Sequence, residues 1–269
     1  GVGSQRAGLG NKDLAYTYAV VREEAPEAFV IANVGAPQLI SQKGHPPLRP
    51  DQLQEAVAMV RADALALHLN FLEETVQSEG DRNAAGLRDA IARCLPLLGV
   101  PAIAKETGAG ISRETALELR GLGFDALDVG GVGGTSFAAI GGHRASERED
   151  GRGARLGVSF RDWGIPTAVS VLGARAAGLP LIATGGVRSG LDAAKALALG
   201  ASLVGVARPL LAAALEGPAA VDHWIALFLE ELKAAVFLSG GATVLDLRTA
   251  PKVLVGDTRT WADSLGYGA

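Results

Sequence analysis

The chain has 269 residues, a net charge of −4 from 25 basic and 29 acidic residues, and 36 glycines, about twice the usual share. Charges of both signs are mixed along it, so no basic face advertises nucleic acid, and no apolar run approaches the ~20 residues of a membrane span. One cysteine, Cys94, excludes a disulfide framework within the chain and reads as a packed thiol in a reducing cytoplasm.

The first residues, GVGSQRAGLG, carry no methionine, and Met59 is the sole one in the chain. Val2-Gly3-Ser4 reads as the tail of a strand, so residues are expected upstream. Asn11 to Glu27 predicts a helix closed by Pro26, and Phe29 to Asn33 a strand. Pro50 opens a helix with Leu53, Ala56, Val57 and Val60 on one face. Ala64 to Asn70 is apolar enough for a strand buried on both sides, as in parallel sheets. Phe71 to Asn83 reads as an acidic loop, and Ala84 to Leu98 as a helix. Pro101 to Glu106 is the next strand, Ser112 caps a helix ending at Gly121 or Gly123, and Phe124 to Gly130 is a strand running into glycines. Residues 141–157 are charged, glycine-dotted and aperiodic, the pattern of a mobile lid. Trp163-Gly164-Ile165-Pro166 is expected to pack that lid, and Pro166 to Ala177 to be helical. Asp222 to Leu238 places Ile225, Phe228, Leu229, Leu232 and Val236 on one helical face.

The chain is organised around Leu181 to Leu210, LIATGGVRSGLDAAKALALGASLVGVARPL. A strand, Leu181 to Ala183, runs into Thr184-Gly185-Gly186, and a helix follows with Ser189 as N-cap and Asp192 three residues on. Paired glycines let backbone N–H groups approach a phosphate, the positive end of a helix favours the anion, and Arg188 adds a charged fork. A second strand, Leu203 to Val206, ends at Ala207-Arg208-Pro209, where another helix can aim N–H groups at the same point. Two such units are what the last two strands of a (β/α)8 TIM barrel supply. The count of six full strands plus the stub at Gly1 suits a single barrel domain over 1–269 lacking its first strand and most of its second. A doubly wound sheet is the alternative, but the glycine and polar clusters all follow strands.

Lys105 ends an apolar strand. It reads as a Schiff-base amine, a phosphate ligand, the cation beside a flavin's N1 and C2 carbonyl, or an ion pair with Glu106. His68 and Asn70 share one face of their strand, and Glu73 and Glu74 follow. Either glutamate suits Mg²⁺, which is usually held by one carboxylate with waters or substrate phosphates, and a solvated acidic turn is the plain alternative. Ser4, Gln5 and Arg6 end the stub strand. Arg6 there could clamp a diphosphate or make an edge salt bridge. His143 and Arg144 read as solvated.

The series GVGSQRA, IANVGAPQL, HLN with Glu73-Glu74, QSEGDRN, AKETGAGIS, DVGGVGGTS, DWGIPTA, ATGGVRSGLDAAKALALGA and ARPLL, in this order from Gly1 onward, resembles type 2 isopentenyl-diphosphate isomerase. The resemblance implies interconversion of isopentenyl and dimethylallyl diphosphate, supported by FMN reduced by NAD(P)H and by Mg²⁺. It implies Ser4, Asn33, Lys105 and Thr135 on the flavin, with Gly185, Gly186, Arg188, Ala207 and Arg208 at its phosphate. Ser4, Gln5, Arg6, His68, Asn70, Glu73 and Thr107 would meet substrate, Glu74 would ligate Mg²⁺, and Lys105, Glu73 and His68 would serve catalysis. Thr107 stands where the family usually has serine. The implied protein is a cytoplasmic homo-oligomer, a tetramer or octamer, without nucleic acid or membrane partners.

Two departures bear on activity. The family's basic leading segment and first strand are not in this sequence, and a barrel without that strand would expose two sheet edges. Glu73 stands where the family has glutamine over the reacting carbons. An FMN-dependent 2-hydroxyacid oxidase would need a histidine base and an arginine where Val132 and Thr135 stand, and a silent flavin- or phosphate-binding homologue is the remaining alternative. A carboxyl exchanges protons far better than an amide. Glu73→Gln is therefore expected to change the isomerisation rate or its pH profile, read from product formation between pH 5 and 9.

Overall fold

A computed structural model describes residues 1–268. Helices and strands alternate: α1 (Arg6–Gly10), α2 (Tyr16–Glu24), β1 (Ile31–Gly35), α3 (Pro50–Met59), β2 (Ala64–Leu69), α4 (Phe71–Val76), α5 (Leu87–Cys94) and β3 (Ala102–Glu106). There follow α6 (Arg113–Leu122), β4 (Ala126–Asp128), α7 (Phe137–Glu147), α8 (Gly151–Ser159), α9 (Thr167–Ala174) and β5 (Leu181–Ala183). The last elements are α10 (Gly190–Leu199), β6 (Leu203–Val204), α11 (Arg208–Glu216), α12 (Pro218–Leu238) and α13 (Gly256–Leu265). The six expected strands are all present: β5 spans the residues read for it, β1 lies two residues further on than read, and the other four are shorter than read. The chain, expected as a single domain, divides into two compact units: Gly1–Thr107, Glu118–Leu127 and Phe137–Arg161 form the first, and Gly108–Leu117, Asp128–Ser136 and the chain from Asp162 on form the second.

In the first unit β1, β2 and β3 are parallel, with Gly35 opposite His68 and His68 opposite Lys105. The apolar runs that predicted these strands are buried: Ala32, Val34, Leu65, Leu67 and Ala104 are inaccessible, and Leu53 and Ala56 of α3 and the Val60 that follows it with them. The Gly1–Gln5 segment runs beside β1, Val2 N–H donating to the Ile31 carbonyl at 3.0 Å and Gln5 N–H to that of Asn33 at 2.9 Å. Arg6 to Gly10 is helical.

Two further expectations in this unit give way. Part of the acidic loop is a helix, α4, with Glu73 and Glu74 in its first turn, where the helix dipole favours carboxylates. The aperiodic stretch 141–157 falls within two helices, α7 and α8, apart from the turn at 148–150 between them. Its glycines are what lets them meet. A Cβ on Gly157 would strike the Gly142 Cα and the Ala138 carbonyl, and one on Gly141 would lie 3.0 Å from the Val76 side chain of α4.

In the second unit β5 and β6 are parallel, Ala183 opposite Val204. Ser189 caps α10 as read, its Oγ accepting from Asp192 N–H at 3.1 Å. Gly190 opens α10 directly against α12: its N–H donates to Glu231 Oε2 at 2.7 Å, and a Cβ there would strike the Phe228 carbonyl. The face expected of α12 is only partly buried. Val236 joins Ala194, Leu197 and Leu247 in a small core with Leu232 against it, whereas Ile225 and Leu229 are exposed. The Trp163–Pro166 stretch bonds through its backbone to the glycine loops, Ile165 N–H to Ala109 at 2.8 Å and Val132 N–H to Ile165 at 2.9 Å, and Trp163 is exposed.

Overfilling a tight helix contact costs about 1–3 kcal/mol. Gly157→Val should lower stability to denaturant by that amount, whereas Gly151→Ala, facing open space, should leave the unfolding midpoint near wild type.

Candidate active site

The first unit gathers most of the residues singled out for chemistry. His68 Nδ1 lies 2.7 Å from Asn33 Oδ1. The Asn33 amide is oriented by its other end, because Nδ2 donates to the Val2 carbonyl at 3.0 Å. Oδ1 must therefore accept, which assigns the proton to His68 Nδ1 and leaves Nε2 with a lone pair. Burial, with the Lys105 ammonium second, pushes the imidazole down to about 4. His68 is a neutral acceptor at physiological pH. Lys105 Nζ donates to the main-chain carbonyl of Glu106 at 3.0 Å, not to its carboxylate, which instead accepts from Thr107 N–H.

Asn70 and the two glutamates come together at the N-terminus of α4. Asn70 Nδ2 donates to Glu74 Oε1 at 3.0 Å and more loosely to Glu73 Oε2 at 3.5 Å, and Gln77 Nε2 donates to Glu73 Oε1 at 3.1 Å. Glu74 Oε2 accepts the Asp81 N–H at 2.7 Å. Burial raises the Glu73 carboxyl above the ordinary range; Asn70's hydrogen bond and the exposed Arg144 draw it back, and Glu74 pushes it further up. Three buried oxygens in this unit have no partner, Gln38 Oε1, Asn70 Oδ1 and Thr107 Oγ1. Buried polar atoms are seldom left unbonded, so each suits a ligand's donor or cation.

One expected ligand is committed elsewhere. Gln5 is fully buried, donating to the Ala56 carbonyl at 2.8 Å and accepting Asn33 N–H at 2.9 Å, so its amide ties the entry segment to β1 and α3 and has nothing left for substrate. Ser4 is exposed, and its carbonyl accepts the Tyr18 hydroxyl at 2.9 Å. Arg6 makes the salt bridge weighed for it, Nη1 to Asp81 Oδ2 at 2.7 Å. His143 is solvated as expected, beside Glu147 at 3.4 Å.

The second unit holds the glycine turn. Gly185 and Gly186 have φ of 99° and 84°, conformations that suit glycine, and the N–H groups of Gly185, Gly186 and Val187 have no acceptor among the described residues. Consecutive free N–H groups of this kind form an anion-binding concavity. A Cβ on Gly134 would sit 2.7 Å from Gly186 N, so the loop leading to Thr135 packs directly on the turn. Arg188 Nη2 donates to the Gly133 carbonyl and pins that loop. Ala207 and Arg208, at the start of α11, follow β6 at the same strand ends. Thr167 and Thr184 support the turn: Thr167 Oγ1 donates to the Gly185 carbonyl at 2.6 Å, and Thr184 Oγ1 donates to Asp128 and accepts Gly130 N–H. Sequence reasoning missed both threonines, and also Asp81, whose place in the QSEGDRN stretch was its one visible signal.

A parallel α/β fold whose strands run into glycine turns defines a class, that of the TIM-barrel folds. The FMN-dependent dehydrogenase family model matches residues 162–253. In fold the chain is similar to a mandelate oxidase variant with a monooxide FMN adduct, at TM-score 0.57 and 20% identity, covering 94% of this chain and 78% of that one. The chain belongs to the isopentenyl-diphosphate delta-isomerase family. It is 48% identical over 267 residues to the isopentenyl-diphosphate delta-isomerase of Methanosarcina mazei, covering 99% of this chain and 71% of that protein. It is 45% identical to that of Archaeoglobus fulgidus, covering 99% of this chain and 74% of that one.

A histidine whose pKa is lowered on folding binds its proton in the unfolded chain first. Stability is then unaffected above about pH 6.5 and falls as pH drops toward 4, by an amount on the order of 3 kcal/mol if His68 acts alone. Urea unfolding from pH 7 to 4 should show this loss, and His68→Gln should remove that share of the slope.

Proposed function

We propose that this chain interconverts isopentenyl and dimethylallyl diphosphate with FMN as cofactor, moving a double bond by adding one proton and removing another. The observation that carries the reading is identity of 45–48% with isomerases of that name over 99% of this chain and 71–74% of theirs. Bound reduced FMN would supply the acid–base group at its ring; NAD(P)H is the proposed reductant.

The residues fit these groups. The Gly185–Val187 amides offer donors to a phosphate where a side chain has no room, and Arg188, Ala207 and Arg208, which follow β5 and β6 in the chain, are proposed as its further contacts. Asn33 and Thr135 are further proposed flavin contacts, Asn33 acting chiefly through His68. Among the described residues no three His, Cys, Asp or Glu side chains cluster as a metal cage, which suits Mg²⁺ completed by water and phosphate oxygens. Glu74, oriented through both oxygens, is the proposed ligand, with Asn70 Oδ1 as a second oxygen facing the same need.

Lys105 supplies a fixed positive charge in the row with His68. His68, neutral, holds a lone pair at Nε2 and accepts a hydrogen bond without competing for the diphosphate's charge. Arg6 offers its unspent N–H groups to that diphosphate, and Thr107 its unpartnered hydroxyl. Glu73 lies next to the metal carboxylate, where its raised proton affinity favours a donor role. Val132 and Thr135, in place of a histidine and an arginine, disfavour 2-hydroxyacid oxidation. Among the described residues no helix is long and apolar enough to cross a membrane; a cytoplasmic homo-oligomer, a tetramer or octamer, is proposed from the family resemblance alone.

Incubation with reduced FMN, Mg²⁺ and isopentenyl diphosphate should yield dimethylallyl diphosphate. Flavin binding without product would instead identify a silent homologue. Loss of one charge-stabilising donor typically costs ~3 kcal/mol of barrier, so Lys105→Ala should slow turnover on the order of a hundredfold.

A further inference from the structure

Asp81 is buried, with its side chain 5% exposed. A carboxylate out of water is costly unless paired, and its partner is the half-exposed Arg6 at 2.7 Å. That bond uses one of five guanidinium N–H groups. The other four meet no group among the described residues, so the fork is anchored at one corner and open at the rest.

The backbone of the same residue does a second job. Asp81 N–H donates to Glu74 Oε2 at 2.7 Å. The chain reaches that position by folding back over α4, with Gly80 N–H on the Gln77 carbonyl at 3.3 Å, and Gly80 lies so close to Glu74 that a Cβ would overlap its carbonyl oxygen. One residue therefore orients a cationic fork through its side chain and an acidic ligand through its amide.

Resting on the reading above, we propose that Asp81 is a positioning residue that couples Arg6 to Glu74, so that the diphosphate and its Mg²⁺ are bound as one unit. Asp81 touches neither ligand. It holds the groups that do, at a separation set by its own length. A carboxylate that merely repelled the diphosphate would have the opposite effect on binding.

The test is calorimetric titration of the FMN-loaded chain with inorganic pyrophosphate, with and without Mg²⁺. A charge-assisted hydrogen bond is worth about a tenfold change in affinity. Asp81→Ala should weaken Mg²⁺-dependent binding about tenfold, as Arg6→Ala does, and the double variant should be no weaker than either single one. Asp81→Asn, which keeps an acceptor, should lose only about threefold. Should Asp81→Ala not fold, Asp81→Asn replaces it, its loss vanishing in the Arg6→Ala background. Unchanged or tighter binding by Asp81→Ala overturns the proposal, as do losses that multiply in the double variant. Wild-type chain that shows no Mg²⁺-dependent pyrophosphate binding would bring down the functional reading with it, whereas wild-type binding matched by Asp81→Ala removes this inference alone.

Discussion

The chemistry of the first unit depends on a row of three residues, Gly35, His68 and Lys105, in register across three parallel strands. Residues opposite one another in neighbouring strands project to the same face, so an imidazole and an ammonium are held side by side. The imidazole has room because the third member is glycine: a Cβ on Gly35 would lie 2.8 Å from His68 Nε2. Any side chain there would tilt the ring and break its bond to Asn33. The neutral state of His68 then follows from two causes acting together, removal from water and the neighbouring cation. Charge in this row resides on Lys105 alone.

The strands were legible because burial on both faces leaves nearly continuous apolar runs, and Ala64 to Leu69 is the clearest of them. The Ser189 cap was legible because capping needs a hydroxyl at one position with respect to the backbone. The helical state of α4 was not, since six residues with two adjacent glutamates show no apolar period. Nor was the fate of Gln5. A carboxamide beside a candidate arginine looks like a ligand, and only the fold shows both of its ends consumed by main-chain groups. In α12 the spacing of apolar residues was read correctly, but spacing says which residues share a face and not whether that face is covered.

Glycine carried most of the ambiguity. In DVGGVGGTS and ATGGVRS it was read as backbone space for a ligand, and the structure adds a second reason: Gly133 and Gly134 lie against Gly185 and Gly186, so two loops approach where no Cβ fits. The two reasons are compatible. Packing the loops by their Cα atoms leaves the amides of residues 185–187 without internal partners, and the hydroxyls of Thr167 and Thr184 occupy the carbonyls and carboxylate behind them. The turn is rigid on its inner side and unsatisfied at its amides, the condition for binding an anion without reorganisation.

The glycines of 141–157 act differently, and their role bears on the carboxylates. A helix of six residues is not stable by itself, so the direction in which α4 presents Glu73 and Glu74 must come from what packs on it. Val76 is inaccessible beneath Gly141, and a Cβ on Gly153 would come within 3.0 Å of the Val76 carbonyl. Arg152 reaches the Thr75 carbonyl at 3.4 Å, and Arg148 pairs with Glu79 at 3.0 Å, exposed contacts worth little individually. The close contacts of small residues hold α4, and the arginines trim its edges. A stretch whose composition suggests a loose cover thus packs against the helix that carries the acidic pair, and its glycines are what permit that contact.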